Sequence, residues 1–336
     1  FSNEAVLMRK RQVPVGETPE GKISLIFCVF EGEKPGPTLG IMSGVHGHEI
    51  SSIDGLRLFV EDLKKVPVED FYGKIVVLPF ANPFALRQRS WGFRMSSTHS
   101  EENLNRQFPG DPRGSIGERI AHTIVKLFTE THKVDLFIDL HTMPFRSLPF
   151  VIVDRVRCTP EIIKRTWQYA EHFGLGVVHD MPPGENEKLG LQNCSTVPFL
   201  KKSTPAFTVE VPGLNFSLPA SARMVQSGLW NMVRHLRIFP KDRYLFWQDP
   251  SRMLIGVGAL SRAPRIRAEK AGFFYPAVEV GTWIKEGGRM GEILDKALDC
   301  IETVRSPMDG LIANIEDVSV VSTGDELFEL FVPEKK

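Results

Sequence analysis

The sequence predicts an α/β fold, a largely parallel or mixed sheet flanked by helices over residues 1–250, followed by a smaller all-β module over residues 251–336. Three observations predict it. From Lys22 to Leu236, apolar runs of strand length alternate with longer segments of helical periodicity. After about Pro250 the texture changes to short runs broken by glycine, aspartate and "EGG" turns. The chain is also long enough, at 336 residues with 42% hydrophobic, for a sizeable core and two domains.

Taken in order, "ISLIFCVF" and "TLGIMSGV" read as strands, the second ending in glycine. "SSIDGLRLFVEDL" then has the apolar 3-to-4 spacing of an amphipathic helix, with Ser51 and Asp54 as its capping pair. "KIVVLPFA", "VDLFIDLH", "LPFVIVD" and "TPAFTVEVP" are further strands. "SIGERIAHTIVKLFTETH", "TPEIIKRTWQYAEHFG" and "SARMVQSGLWNMVRHLRIF" are helices, whose charged faces fit them to cover both sides of the sheet.

In the C-terminal part, "GFFYPAVEVGTWIKEGGRMGEI" and "SPMDGLIANIEDVSVVSTGDELFELFV" form a weak internal repeat. The pair resembles the two halves of a biotinyl/lipoyl-type barrel-sandwich, most closely at "SPMDGLI". A carrier of that type needs a lysine at a hairpin tip between methionines or small residues. Here the hairpin reads "DKALDCIETVRSP", and Lys296 looks misplaced, so the module is expected to be structural and unmodified.

Composition narrows the partners. Lys plus Arg equals Asp plus Glu at 41 each, which points away from nucleic acid and from acidic membrane surfaces. No apolar stretch reaches the roughly 18 residues of a membrane helix, and "FSNEAVLMRKRQVPVG" lacks the apolar core of a signal peptide, so a cytoplasmic location is expected. Cys28, Cys158, Cys194 and Cys300 make no CxxC pair and are expected to be reduced, with Cys28 a small core residue.

The chemistry gathers at strand ends. "GIMSGVHGHEISSIDG" carries His46, His48 and Glu49 where a strand turns into a helix, the end of an open α/β sheet at which ligands bind. His141 ends "FIDLH" and Glu210 lies in "FTVEVPG". A His-x-x-Glu step sends two side chains the same way in the first turn of a helix, and a third ligand from another strand completes a catalytic zinc set with one position open for water. A separate carboxylate must then take the proton of that water. His48 is given no ligand role, and His122, His132, His172, His179 and His235 lie in helix-like or polar stretches that suit ordinary roles.

In this order, "SGVHGHE", "ANPFALRQRS", "ENLNRQFPG", "DLFIDLHT" and "TVEVPG" resemble the succinylglutamate desuccinylase/aspartoacylase family, a branch related to the zinc carboxypeptidases. The resemblance spans the chain. It implies a zinc carboxypeptidase-like sheet, and one Zn2+ per chain on His46, Glu49 and His141. It implies Glu210 as the catalytic carboxylate, and Asn105 with Arg106 as the holder of a substrate carboxylate, a role suited to the planar guanidinium. An upstream arginine polarises the scissile carbonyl; Arg94 is the choice, with Arg87 and Arg89 close by. The implied activity is zinc-dependent removal of an acyl group from a small N-acylated carboxylate substrate, through zinc-activated water and Glu210. A carboxypeptidase would share the metal ligands, and a non-catalytic binding protein could be built on the same fold. The oligomeric state is open, although an exposed Trp283 would suit an interface between copies of the chain.

Overall fold

The computed structural model describes residues 6–19, 21–94, 102–156, 158–239 and 259–334. Its first part contains the strands β1 (Met8–Thr18), β2 (Gly21–Glu31), β3 (Lys34–Ser43), β4 (Tyr72–Leu78), β5 (Leu136–Met143), β6 (Phe150–Val153), β7 (Gly176–His179) and β8 (Ala206–Pro212). Between them run the helices α1 (Ile50–Leu63), α2 (Pro83–Gln88), α3 (Ile116–Lys126), α4 (Pro160–Phe173), α5 (Pro183–Lys188), α6 (Val197–Lys201) and α7 (Pro219–His235). The order across the sheet begins β1-β2-β4-β3-β5-β8-β6-β7. β4, β3, β5 and β8 are mutually parallel, whereas β1, β2 and β6 join their neighbours β2, β4 and β8 antiparallel.

The mixed sheet is covered on both faces, as the alternation predicts. Leu136, Ile138 and Leu140 of β5 pack with Phe207, Val209 and Val211 of β8 under α1 and α7. Phe137 turns the other way, into a core with Ile120 and Ile124 of α3 and with Phe199 of α6. Strand side chains alternate between faces, so Asp139 and His141 share the second face with Phe137, and Thr208 and Glu210 share it with Ala206.

Two strands escape the sequence pattern. β1 is an exposed edge whose start, "MRKRQ", is charged, a composition that protects an edge rather than one that marks a core strand. β7 is only four residues long and carries His179, which therefore sits on a strand and not in a polar stretch. The capping pair also fails. Glu49 precedes α1 without a side-chain cap; Ser51 Oγ donates toward the carbonyls of Gly213 and Phe216, each at 3.0 Å, and Asp54 accepts from Arg57 and Ser217. Ser51 thus ties the start of α1 to the loop that follows β8.

The C-terminal strands are β9 (Leu260–Arg262), β10 (Ile266–Arg267), β11 (Gly272–Pro276), β12 (Trp283–Ile284), β13 (Arg289–Leu294), β14 (Cys300–Arg305), β15 (Gly310–Ile315), β16 (Val320–Val321) and β17 (Glu326–Pro333). β14, β13, β11 and β16 form a separate four-stranded sheet. The other layer is continuous with the first part: β9 pairs parallel with β7 and antiparallel with β17, which leads on to β15 and β12. Phe274, Met290, Ile293, Ile312 and Phe328 fill the space between the two layers. The expected boundary at residue 250 falls in 240–258, outside the described residues. Across the junction Phe150 and Phe331 meet edge to face at 4.8 Å in a shared apolar cluster. Lys296 does lie in the exposed turn joining β13 to β14, between Asp295 and Ala297, so it occupies a hairpin tip after all. Trp283 is exposed at the edge strand β12.

Candidate active site

The turn from β3 into α1 is shaped by a glycine. A Cβ on Gly47 would lie 1.7 Å from the carbonyl oxygen of Ala85, so only glycine lets the backbone of α2 close against the turn. Asn82 sets that contact: its side chain caps α2 at Ala85 N and donates to the carbonyl of Val45 at 3.1 Å. On either side of Gly47, His46 and His48 are buried against Trp91, with ring centroids 4.5 and 4.6 Å away. The His-x-x-Glu step lies in this turn and not inside the helix, since α1 begins at Ile50 after Glu49.

His46, Glu49 and His141 converge. Their ligand atoms all lie within 4.8 Å of one another, and all three residues are buried. Glu49 sits between the imidazoles, with Oε1 2.6 Å from His46 Nδ1 and Oε2 2.9 Å from His141 Nδ1. Both rings are oriented from behind. Asn103 Oδ1, which accepts from the backbone N–H of Asn105 at 2.8 Å, lies 3.1 Å from His46 Nε2. Asp139 Oδ2 lies 2.8 Å from His141 Nε2. These acceptors engage each Nε2 and turn each Nδ1 toward Glu49, the arrangement by which outer partners orient metal-binding histidines. Two imidazoles and a carboxylate with a fourth side open suit a zinc-type site.

Charge follows geometry. Burial raises the Glu49 carboxyl, but the two imidazoles outweigh it and hold the group down at about 2. Burial lowers the His141 imidazole, yet Asp139 and Glu49 leave it well above its ordinary range.

The triad opens into a cavity of about 560 Å3, within the range of small-molecule sites. Glu210 lines it, paired in register with His141 on the neighbouring strand, and its Oε2 is buried with no hydrogen-bond partner among the described residues. Burial pushes its carboxyl up to about 8, opposed by His141 and reinforced by Glu49. Asn105 and Arg106 also line it, on the short turn Leu104–Arg106. Asn105 Oδ1 accepts from the backbone N–H of Ser195 at 3.0 Å, and Arg106 is anchored by donating to the carbonyls of Leu189 and Asn105 at 3.1 and 2.8 Å.

Arg94 is placed differently. It is exposed and is not among the residues that line the cavity; 95–101, which follow it, lie outside the described residues. Arg87 and Arg89, at the end of α2, are exposed as well.

Several site residues escaped the sequence reading. Asp139 could have been found, because it lies two positions before His141 on one strand and so shares its face. Asn103, beside Asn105, could have been suspected. Nothing local marks Ser195, or Arg262 and Arg265, which reach the cavity from the C-terminal module. Arg262 bonds the fully buried Glu329 at 2.5 Å and Asp180 at 3.3 Å, and Arg265 bonds Glu329 at 2.9 Å and Glu316 at 3.0 Å. Deeper in the wall, burial and the neighbouring Asp180 raise Asp154 to about 7.

Residues 35–235 match the family described as the Succinylglutamate desuccinylase/Aspartoacylase catalytic domain. The chain belongs to the succinylglutamate desuccinylase/aspartoacylase family. That span runs from β3 to the end of α7 and so contains His46, Glu49, His141, Glu210, Asn105 and Arg106. The N-alpha-acetyl-L-2,4-diaminobutyric acid deacetylase of Halomonas elongata is 24% identical over 306 residues, covering 90% of this chain and 83% of the relative. The product-bound ectoine utilization protein of Ruegeria pomeroyi superposes with a TM-score of 0.79 at 18% identity, covering 98% of this chain and 96% of that one. A family member from Rhodobacter sphaeroides gives 0.76 at 19% identity, covering 99% and 98%. A metallo-carboxypeptidase from Burkholderia cenocepacia is more distant, with a TM-score of 0.51 at 16% identity over 68% of this chain and 64% of its own.

Proposed function

We propose that this member of the family is a zinc-dependent deacylase that hydrolyses the amide bond of a small N-acyl amino acid, or a related N-acyl amine, bearing a carboxylate. The reading is carried by one observation: a buried His-Glu-His triad opens into a cavity lined by both a carboxylate, Glu210, and an amide–guanidinium pair, Asn105 with Arg106. His46, Glu49 and His141 would hold one zinc ion per chain. Zinc bound there supplies a Lewis acid for the scissile carbonyl and lowers the pKa of a water to about 7.

Glu210 takes the proton of the attacking water and delivers it to the leaving amine, a role suited to a carboxyl that lines the cavity beside His141. Arg106 and Asn105 hold the substrate carboxylate and so orient the amide over the triad. We assign the second oxyanion contact to Arg94, which must swing inward from its exposed position; Trp91, three residues earlier, already lines the cavity. The division of labour is between a catalytic domain, residues 1–250, and a β module, residues 251–336, whose Arg262, Arg265 and Glu316 contribute to the cavity wall.

The Halomonas relative supports deacylation of an acetylated amino acid as the reaction type. A carboxypeptidase is less well supported, because that neighbour spans only 68% of this chain while Arg262 and Arg265 close the cavity from the C-terminal module. The balanced charge, with 41 acidic and 41 basic residues, favours neither nucleic acid nor membrane as partner, and among the described residues no helix is long and apolar enough to cross a membrane. Four cysteines without a disulfide suit the reducing cytoplasm, where we place the protein. The exposed Trp283 offers a contact for a homo-oligomer.

The test is a hydrolysis screen over N-acetyl, N-succinyl and N-formyl amino acids, with zinc and after chelation. Zinc-dependent release of one acyl group is expected. Cleavage of C-terminal peptide bonds with no N-acyl amino acid turned over would replace this reading by the carboxypeptidase one.

A further inference from the structure

Within the metal-site reading given above, we propose that Ser195 is a positioning residue that fixes the Asp139–His141 arm of the site to the loop carrying Asn105. Ser195 is 1% exposed, in the link between Leu191–Asn193 and α6, and it works in two directions. Its backbone N–H donates to Asn105 Oδ1 at 3.0 Å. Its hydroxyl donates to Asp139 Oδ2, the same oxygen that lies 2.8 Å from His141 Nε2.

Asp139 makes this contact matter. The carboxylate is fully buried, and its Oδ1 has no hydrogen-bond partner among the described residues. Stabilisation of the anion therefore falls on Oδ2, from two donors. Without the Ser195 hydroxyl, His141 alone would satisfy a buried carboxylate free to turn about its own axis, and the imidazole would lose the fixed support that orients Nδ1. On the other side, engagement of Asn105 Oδ1 by a backbone N–H leaves the Nδ2 donor of that amide for an anionic ligand. Of the flanking residues, Cys194 lines the cavity with its Sγ 3.6 Å from Arg106 Nη1, and Thr196 Oγ1 donates to Asp154.

Because Asn105 is held through the backbone, Ser195→Ala cuts only the branch toward the metal ligands. Zinc affinity of the full chain, measured by competition with a chromophoric chelator, should fall about 10–100-fold in Ser195→Ala. Ser195→Thr, which keeps the hydroxyl, should bind zinc close to wild type. So should Thr196→Val, which removes the adjacent buried hydroxyl without touching Asp139. In the cobalt-substituted protein, the visible ligand-field bands should shift in Ser195→Ala and not in Thr196→Val. Equal zinc affinity in Ser195→Ala and wild type would overturn the proposal while leaving the metal site itself intact. Equal losses in Ser195→Ala and Thr196→Val would also overturn it, since the segment would then act only as general support. A wild-type chain that bound no zinc would overturn the metal reading as well.

Discussion

The middle of the sheet and its C-terminal extension contribute to one cavity in opposite ways. β5 is buried along its whole length and β3 over the half that leads to the turn, and the segments at the C-terminal ends of these strands and of β8 bear the groups proposed to do the chemistry: His46 and Glu49 after β3, His141 in β5, Glu210 in β8. The extension, β9 to β17, is built of short, turn-rich strands and supplies Arg262 and Arg265, which are neutralised by its own Glu329 and Glu316 and by Asp180 after β7. Reactive groups here rest on parallel strands anchored from both sides, while the wall is held by ion pairs that cross between elements. Changes in the first region should therefore act on metal and turnover, and changes in the second on cohesion.

The strongest break of that contrast is at the triad. His46→Ala or His141→Ala should abolish stoichiometric zinc and with it measurable turnover, because two ligands hold a zinc ion poorly; metal analysis after gel filtration checks this. Full zinc content in both variants would remove the assignment. Glu210→Gln comes next: metal content should stay while kcat falls by about two to four orders of magnitude, the contribution of a positioned proton acceptor. Near-normal turnover would move the base elsewhere.

In the extension the expected signature is different. Glu329→Gln leaves Arg262 and Arg265 short of a buried partner and should destabilise the fold by about 3–5 kcal/mol. Since β9 hydrogen-bonds both β7 and β17, denaturant unfolding should remain one transition. Two separated transitions would show the regions to be independent.

Arg106 sharpens the comparison from the substrate side. Arg106→Lys keeps the charge but loses the planar fork, and kcat/KM should fall about 10–100-fold. The loss should nearly vanish for an analogue whose carboxylate is a neutral amide. An equal loss with both substrates would make Arg106 a structural residue of the loop.

The smallest effect is expected at Asp154. Its folded carboxyl, raised to about 7 mainly by burial, binds its proton more tightly than the unfolded group does. Stability from this residue is thus greatest below the unfolded value near 4 and declines as pH rises toward 7. Asp154→Asn should flatten that decline, so that the mutant gains on wild type in melting temperature between pH 5 and 8. A parallel pair of melting curves would contradict it.

Much of this was legible in the sequence. The strands that bear the site are near-continuous apolar runs, and such runs mark strands buried on both faces whatever surrounds them. His46, Glu49, His141 and Glu210 stand at or just past their C-terminal ends, and that position together with the resemblance of the surrounding motifs to the family nominated them. Asp139 went unnamed, although period-two alternation puts it on the face of His141. Other features were not legible, because their physical basis is not local. β1 is a charged edge strand recognisable only from its partner β2, and Ser51 looked like a helix cap until the loop after β8 arrived to accept its hydrogen bond.

The sequence by itself therefore determined the layered α/β order and the strand ends at which the candidate metal-binding side chains lie, since each follows from periodicity and side-chain chemistry within a few residues. Only the tertiary structure decided which distant groups meet. It brought Ser195 to Asp139 across 56 positions of chain and Arg262 to Glu329 across 67, and it left Arg94 outside the cavity. Such pairings are set by how sheets and loops pack, and a hydrogen bond of 3 Å between remote residues leaves no periodic trace in the chain that makes it.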